Sequence, residues 1–198
     1  MDYLWQMHHY YRAFYEYNVP IDILRVTADF EKYKVLVAPL LYMMKEGVAQ
    51  RLERFVERGG TLIATYMTGV TDENDRCVFG AGPLRKTMGL WVEETDALFP
   101  DEENEMILNS WMTQAYEKSS YGCTFLCDRL RLETAEPLAY YGKDFYAGEP
   151  CLTVNRLGSG KAYYLASQPE EAFVREFAEK ICREQGVEPL FPSEGEIE

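Results

Sequence analysis

Apolar residues follow a helical rhythm near both ends of the chain and a strand-like one between. Leu4, Met7, Tyr11, Phe14 and Tyr15 recur at the 3.6-residue period, which predicts a helix that buries this face and stops at Asn18 and Pro20. Ile21-Asp22-Ile23-Leu24 alternates and predicts a short strand. Lys34-Val35-Leu36-Val37-Ala38-Pro39 is an unbroken apolar run, the pattern of a strand covered on both faces. A second helix is expected from Glu46 to Arg58, with Val48, Leu52, Phe55 and Val56 inward and Gly59-Gly60 closing it. Thr61–Thr65 is the next buried strand. The order α-β-β-α-β with short connections predicts a three-layer α/β sandwich around a mostly parallel sheet.

The middle is less regular. Residues 67–83 read as a long loop around the acidic cluster Asp72-Glu73-Asn74-Asp75, with Pro83 opening a short helix through Met88. Strands are expected at Trp91–Leu98, Met106–Leu108 and Cys123–Leu132, with an acidic, solvated loop over 99–105. Cys151–Asn155 and Lys161–Ala166 flank Leu157-Gly158-Ser159-Gly160, a C-terminal β-hairpin with a glycine turn. A last helix spans Glu170 to Gln185 and buries Phe173, Phe177 and Ile181. The domain so defined covers residues 1–187, and 188–198 form an acidic tail expected to fray.

Composition narrows what such a domain does. With 198 residues the chain makes one globular unit and cannot hold a (β/α)₈ barrel, which needs about 250 residues. Its 33 Asp and Glu against 20 Lys and Arg leave a net charge of −13, and no basic stripe suits nucleic acid or an anionic membrane. The longest apolar runs fall far short of the roughly 20 residues that span a bilayer. The opening residues, Met1 to Trp5, lack the basic n-region of a signal peptide, so no signal sequence and a cytoplasmic location are expected.

Candidate chemistry is sparse. The five cysteines, Cys77, Cys123, Cys127, Cys151 and Cys182, include no C-x-x-C pair, so reduced, packed thiols are expected rather than a zinc site. A catalytic triad would have to use His8 or His9, the only histidines; His8 is expected near the apolar face of the first helix and His9 turned away. Gly160-Lys161 lacks the Ser or Thr of a phosphate loop, and Gly80-Ala81-Gly82 lacks the third glycine of a dinucleotide fingerprint. An α/β pattern of this kind also suits class I glutamine amidotransferases, but no cysteine has the glycines of a nucleophile elbow. Asp72–Asp75 lacks the alternation of a calcium loop. Catalytic residues, cofactors and metals are therefore all expected to be absent.

Several segments, taken in order, resemble a known family. Tyr11-Arg12-Ala13, Asn18-Val19-Pro20-Ile21-Asp22, Val37-Ala38-Pro39 and Phe55-Val56-Glu57-Arg58-Gly59-Gly60-Thr61-Leu62 resemble the middle, trimerisation domain of the family 42 β-galactosidases. Gly69–Asp75, Gly82-Pro83-Leu84-Arg85, Gly89–Leu98 and Gly158–Tyr164 continue the match, which runs from about residue 3 to 187. The resemblance implies a flavodoxin-like, amidotransferase-like fold without amidotransferase chemistry. It also implies a homotrimeric parent that hydrolyses terminal β-D-galactosides with retention, through two carboxyl groups about 5–5.5 Å apart.

In the family both carboxyls belong to an N-terminal barrel, so none is carried over; Asn104-Glu105, although it mimics the acid/base dipeptide, is assigned to the acidic loop. The family's first strand would precede Met1, and without it the sheet lacks one buried strand and exposes unpaired backbone. The chain thus reads as a piece of a hydrolase, a non-catalytic oligomerisation domain whose partners are its own copies and the parent's barrel. Asp72, Glu73, Asn74, Asp75 and Arg76 are its interface candidates. The alternatives are a carbohydrate-binding module, with exposed aromatic rings as a sugar platform, or a residual amidotransferase-like domain.

Overall fold

A computed structural model describes residues 3–78 and 82–191. Gly80-Ala81 and the tail from Pro192 to Glu198 lie outside the described residues. In chain order the elements are α1 (Tyr3–Glu16), β1 (Val35–Ala38), β2 (Met43–Met44), α2 (Val48–Glu57), β3 (Thr61–Thr65) and β4 (Thr71–Asp72). They continue with α3 (Arg85–Met88), β5 (Leu90–Ala97), β6 (Asn104–Leu108), β7 (Ser120–Leu132) and β8 (Glu136–Tyr141). β9 (Pro150–Leu157), β10 (Gly160–Leu165), β11 (Ser167–Pro169) and α4 (Glu171–Glu184) complete the domain.

One large sheet runs β1-β3-β10-β9-β8-β6-β7-β11, with β5 paired to β7. The parallel character expected of most of the sheet is confined to β1-β3-β10, and every join beyond β10 is antiparallel. β9 reverses into β10 across Gly158-Ser159, with Leu157 opposite Gly160. Two-residue hairpins of this kind need glycine conformations that match strand twist. Gly160 is further constrained because a Cβ there would sit 2.1 Å from the Val56 carbonyl oxygen. Gly60 likewise faces the Phe55 ring, 2.4 Å from where its Cβ would be. The end of α2 therefore seats directly on the hairpin.

Helices cover both faces. On β10, Gly160 meets α2, while Tyr163 packs edge-on against Phe177 of α4 at 5.3 Å and Lys161 Nζ reaches Glu184 at 2.6 Å. Alternate residues of a strand point to opposite faces, so α2 and α4 lie on opposite sides. α4 buries Phe173, Val174, Phe177, Ala178, Ile181 and Cys182, a broad apolar stripe of helical period. α1 packs beside α4.

Three expectations are corrected near the N-terminus. α1 buries Gln6, His9, Tyr10, Ala13 and Phe14, not the face through Leu4 and Tyr15. The helix is rotated because Gln6 and His9 find polar partners inside: Gln6 Nε2 donates to Tyr66 Oη and Gln168 Oε1, and His9 Nε2 to the Pro169 carbonyl at 3.3 Å. The histidines are accordingly reversed, with His9 buried and His8 exposed. Ile21–Leu24 is not a strand, because no neighbour offers it a ladder of hydrogen bonds.

β1, although wholly apolar, is only half-buried, and among the described residues it pairs with β3 alone. Between β1 and the segment 19–24 lies a groove of about 570 Å³, lined by Met7, Tyr11 and Phe14 of α1, by Ile21, and by Val35 and Val37. Tyr3, the first described residue of α1, stands at the same groove.

A further correction concerns Asn104-Glu105, expected in the solvated loop. Asn104 opens β6 and is buried, accepting the Lys143 and Glu105 N–H groups and donating to the Lys143 carbonyl. It is an anchor for the turn after β8, not a surface dipeptide.

Candidate association surface

The acidic cluster is a rigid turn. β2 and β4 form a two-stranded parallel sheet that pins its base, and Thr71 bridges to Cys77 across its neck. Asp72 Oδ1 accepts the N–H of Asn74 at 2.8 Å and of Arg76 at 3.0 Å, the side-chain mimic of a backbone turn. These two donors hold the Asp72 carboxyl below its ordinary pKa. Arg76 Nε lies 3.4 Å from Asp72 Oδ2, and Asp75 takes the left-handed conformation at φ 59°. The structure thus brings all five interface candidates together but divides their work. Asp72 is spent on holding the turn, while Glu73, Asn74, Asp75 and Arg76 are exposed on its tip.

A second surface, not singled out by sequence pattern, gathers around Phe125. β7 bulges where its pairing with β11 shifts between Ser167 and Gln168, and the bulge holds Phe125 at φ 77°. Bulges re-aim side chains. Here the Phe125 ring, 38% exposed, meets the edge of Tyr66 at 6.2 Å, and its carbonyl takes the Leu98 N–H at 3.0 Å. Tyr66 Oη accepts from Gln6, and beside Gln6 stands Trp5, 47% exposed and stacked on His9 at 5.1 Å. Burial pushes the His9 imidazole below its ordinary pKa, so it stays neutral near pH 7. A run of rings and amides thus crosses from α1 over the end of β3 to β7. No sequence pattern marked this surface, because the bulge depends on pairing between residues 40 positions apart.

Beneath this surface lies a buried carboxyl. Asp128 accepts from Thr95 Oγ1 at 2.5 Å, from Tyr164 Oη at 2.6 Å and from the Met67 N–H at 3.3 Å. Desolvation outweighs these three donors and raises its pKa. Met67 takes φ 60° in the turn after β3, which leads into β4 and not into a helix. Among the described residues no group of three or more His, Cys, Asp or Glu is placed to hold a metal ion. All five cysteines are free, and burial pushes the Cys182 thiol up to about 11. Among the described residues no helix is long and apolar enough to cross a membrane.

A mixed α/β domain that presents a braced acidic turn and exposed rings at Trp5 and Phe125, with Tyr66 buried between them, has surface features suited to association. Comparison with known proteins agrees. The family model described as the β-galactosidase trimerisation domain matches residues 1–188. The β-galactosidase BgaP of Planococcus sp. (strain L4) is 46% identical over 192 residues, which is 96% of this chain and 28% of that relative. The crystal structure of the β-galactosidase from Bacillus circulans sp. alkalophilus superposes with a TM-score of 0.93 at 44% identity, covering 98% of this chain and 29% of that one. The cold-adapted β-galactosidase from Rahnella sp. R3 gives 0.93 at 36% identity over the same shares. The chain belongs to the β-galactosidase trimerisation-domain family, and it spans little more than a quarter of the relatives it matches.

Proposed function

We propose that this chain acts as the non-catalytic trimerisation module of a β-galactosidase that hydrolyses terminal β-D-galactosides. The observation that carries the reading is the pairing of coverages: 96% of this chain aligns with only 28% of a β-galactosidase. The chemistry then belongs to the remainder of such an enzyme, where two carboxyl groups flank the scissile bond. This chain contributes subunit contacts, with the exposed tip of the 72–76 turn among them. Within the module the flavodoxin-like arrangement is completed by one more extended strand, which enters the groove between β1 and residues 19–24 and gives Ile21–Leu24 the partner it lacks.

Sedimentation velocity on the purified chain tests the reading. Concentration-dependent association toward a trimer, together with no turnover of a nitrophenyl β-galactoside, is the expected result. Turnover that survives repurification overturns it, as does a monomer at every concentration. Titration calorimetry with galactose or lactose separates it from a sugar-binding module, since the trimerisation reading expects no heat.

A further inference from the structure

We propose that the cavity between residues 27–34 and the C-terminal half of α2 binds a small phosphate-bearing anion. The inference is independent of the trimerisation reading. It concerns the end of the sheet at which β1 and β3 begin, where Lys34 precedes one strand and Gly59-Gly60 the other.

The cavity measures about 500 Å³, within the range of small-ligand sites. Phe30 and Phe55 line it, both buried and packed edge-to-face at 5.9 Å, so its base is firm and apolar.

Its charge sets it apart from the rest of the molecule. The chain carries a net charge of −13, yet five of its 20 Lys and Arg line this one cavity beside only two carboxylates. Those carboxylates are already engaged: Asp29 Oδ1 accepts the Glu31 N–H at 2.9 Å, and Glu31 pairs with Arg58 at 3.1 Å. Lys32 lies 3.8 Å from Asp22. Lys34, Arg51 and Arg54 have no carboxylate partner among the described residues. Lys34 Nζ donates to the Gly186 carbonyl at 2.8 Å, which leaves two of its three donors. Arg51 donates to the Val26 and Ala28 carbonyls and stacks over the Phe30 ring, 4.4 Å from its centre. Backbone carbonyls thus fix this guanidinium without neutralising it.

Cations in the last turn of a helix offset its dipole, which accounts for Arg54 and Arg58 singly. It does not account for Arg51, placed mid-helix, or for three uncompensated cations on one cavity. Three cations over-match a single carboxylate and suit a phosphate dianion, whose oxygens accept the guanidinium fork two at a time. A free phosphate ion and a phosphate monoester share this chemistry.

Titration calorimetry at fixed ionic strength, with inorganic phosphate, phenyl phosphate and benzoate, tests the assignment. One phosphate or phenyl phosphate is expected to bind per chain. Arg54→Gln and Lys34→Gln, both at exposed side chains that the fold does not need, are each expected to weaken binding about tenfold. Arg175→Gln, which removes an exposed cation outside the cavity, is expected to leave it unchanged. Phenyl phosphate bound more tightly than inorganic phosphate identifies an ester as the ligand, and equal binding identifies the free ion. No heat with either phosphate, benzoate bound as tightly as phenyl phosphate, or binding that survives both cavity substitutions overturns the inference.

Discussion

β1 and β3 are neighbours in one sheet, paired residue for residue from Val35 opposite Thr61 to Ala38 opposite Ala64, and both are short apolar strands. Their fates differ. All five residues of β3 are buried, whereas all four of β1 are only half-buried. β3 has a strand on each side and the packed face of α2 nearby; β1 has a strand on one side and a groove on the other. An apolar run states that a strand can be buried from every direction. Whether it is buried depends on partners that the run itself does not contain.

The sharpest way to expose this difference is to remove the same kind of group from each strand. Leu62→Ala in β3 is expected to cost about 2–5 kcal/mol, because a closed core cannot collapse around the cavity. Val37→Ala in β1 is expected to cost under about 1 kcal/mol, since its side chain already borders open space. Urea unfolding midpoints of the two variants check the ratio, and equal losses would show that β1 is as well covered as β3.

The groove itself offers the next test. An extended apolar strand fused ahead of α1 is expected to raise the cost of Val37→Ala to roughly 2 kcal/mol, because the valine then lies in a closed interior. If the fused strand leaves that cost unchanged, the groove does not accept a strand.

A comparable loss is expected at Asn155, whose amide holds the far side of the β3–β10 layer. Its Nδ2 donates to the Lys86 and Thr87 carbonyls at 3.2 and 2.9 Å, at the C-terminal end of α3, and its Oδ1 accepts from Thr134. Asn155→Ala strands those buried carbonyls and is expected to cost about 1–3 kcal/mol, read from the same unfolding curves. Asn155→Asp, which keeps the shape but replaces two donors with acceptors, is expected to be no better.

The same contrast explains what the sequence made legible. α2, β3, the β9–β10 turn and α4 were readable because each is specified locally, by periodicity or by glycine. The buried face of α1 was not, because Gln6 and His9 are buried by partners at Tyr66, Gln168 and Pro169, far along the chain. Ile21–Leu24 carries a strand's alternation and lacks a strand's neighbour. β8 and β11 escaped notice because short strands with proline at Pro137 and Pro169 look like connections until their pairing is known. Of the candidate surface, the acidic turn was legible as a cluster of charges, but the role of Asp72 in closing it required the geometry. The ring cluster at Phe125 was hidden by a bulge that no local pattern announces.

Asp128 extends the comparison to pH. Its folded pKa is raised by burial above the unfolded value near 3.8, so the fold favours its protonated form. The associated stability is fully present below the unfolded pKa and is lost as pH rises through the folded one. Asp128→Asn removes this dependence. Unfolding midpoints of the two chains, compared from pH 4 upward, are expected to diverge in favour of the variant and then run parallel once Asp128 is fully ionised. A gap that closes with rising pH would mean that the Thr95, Tyr164 and Met67 donors outweigh the desolvation.

The smallest effect is expected at the tip of the acidic turn. Glu73 and Asp75 are exposed, and single charges in water contribute under about 1 kcal/mol to any contact and are screened within about 10 Å at 0.1 M salt. If the turn forms the rim of a contact whose core is uncharged, Glu73→Gln and Asp75→Asn change the salt dependence of association more than its strength in high salt. Sedimentation at low and high ionic strength reads both quantities. A loss of association that persists in high salt would move the turn from the rim of the contact to its core.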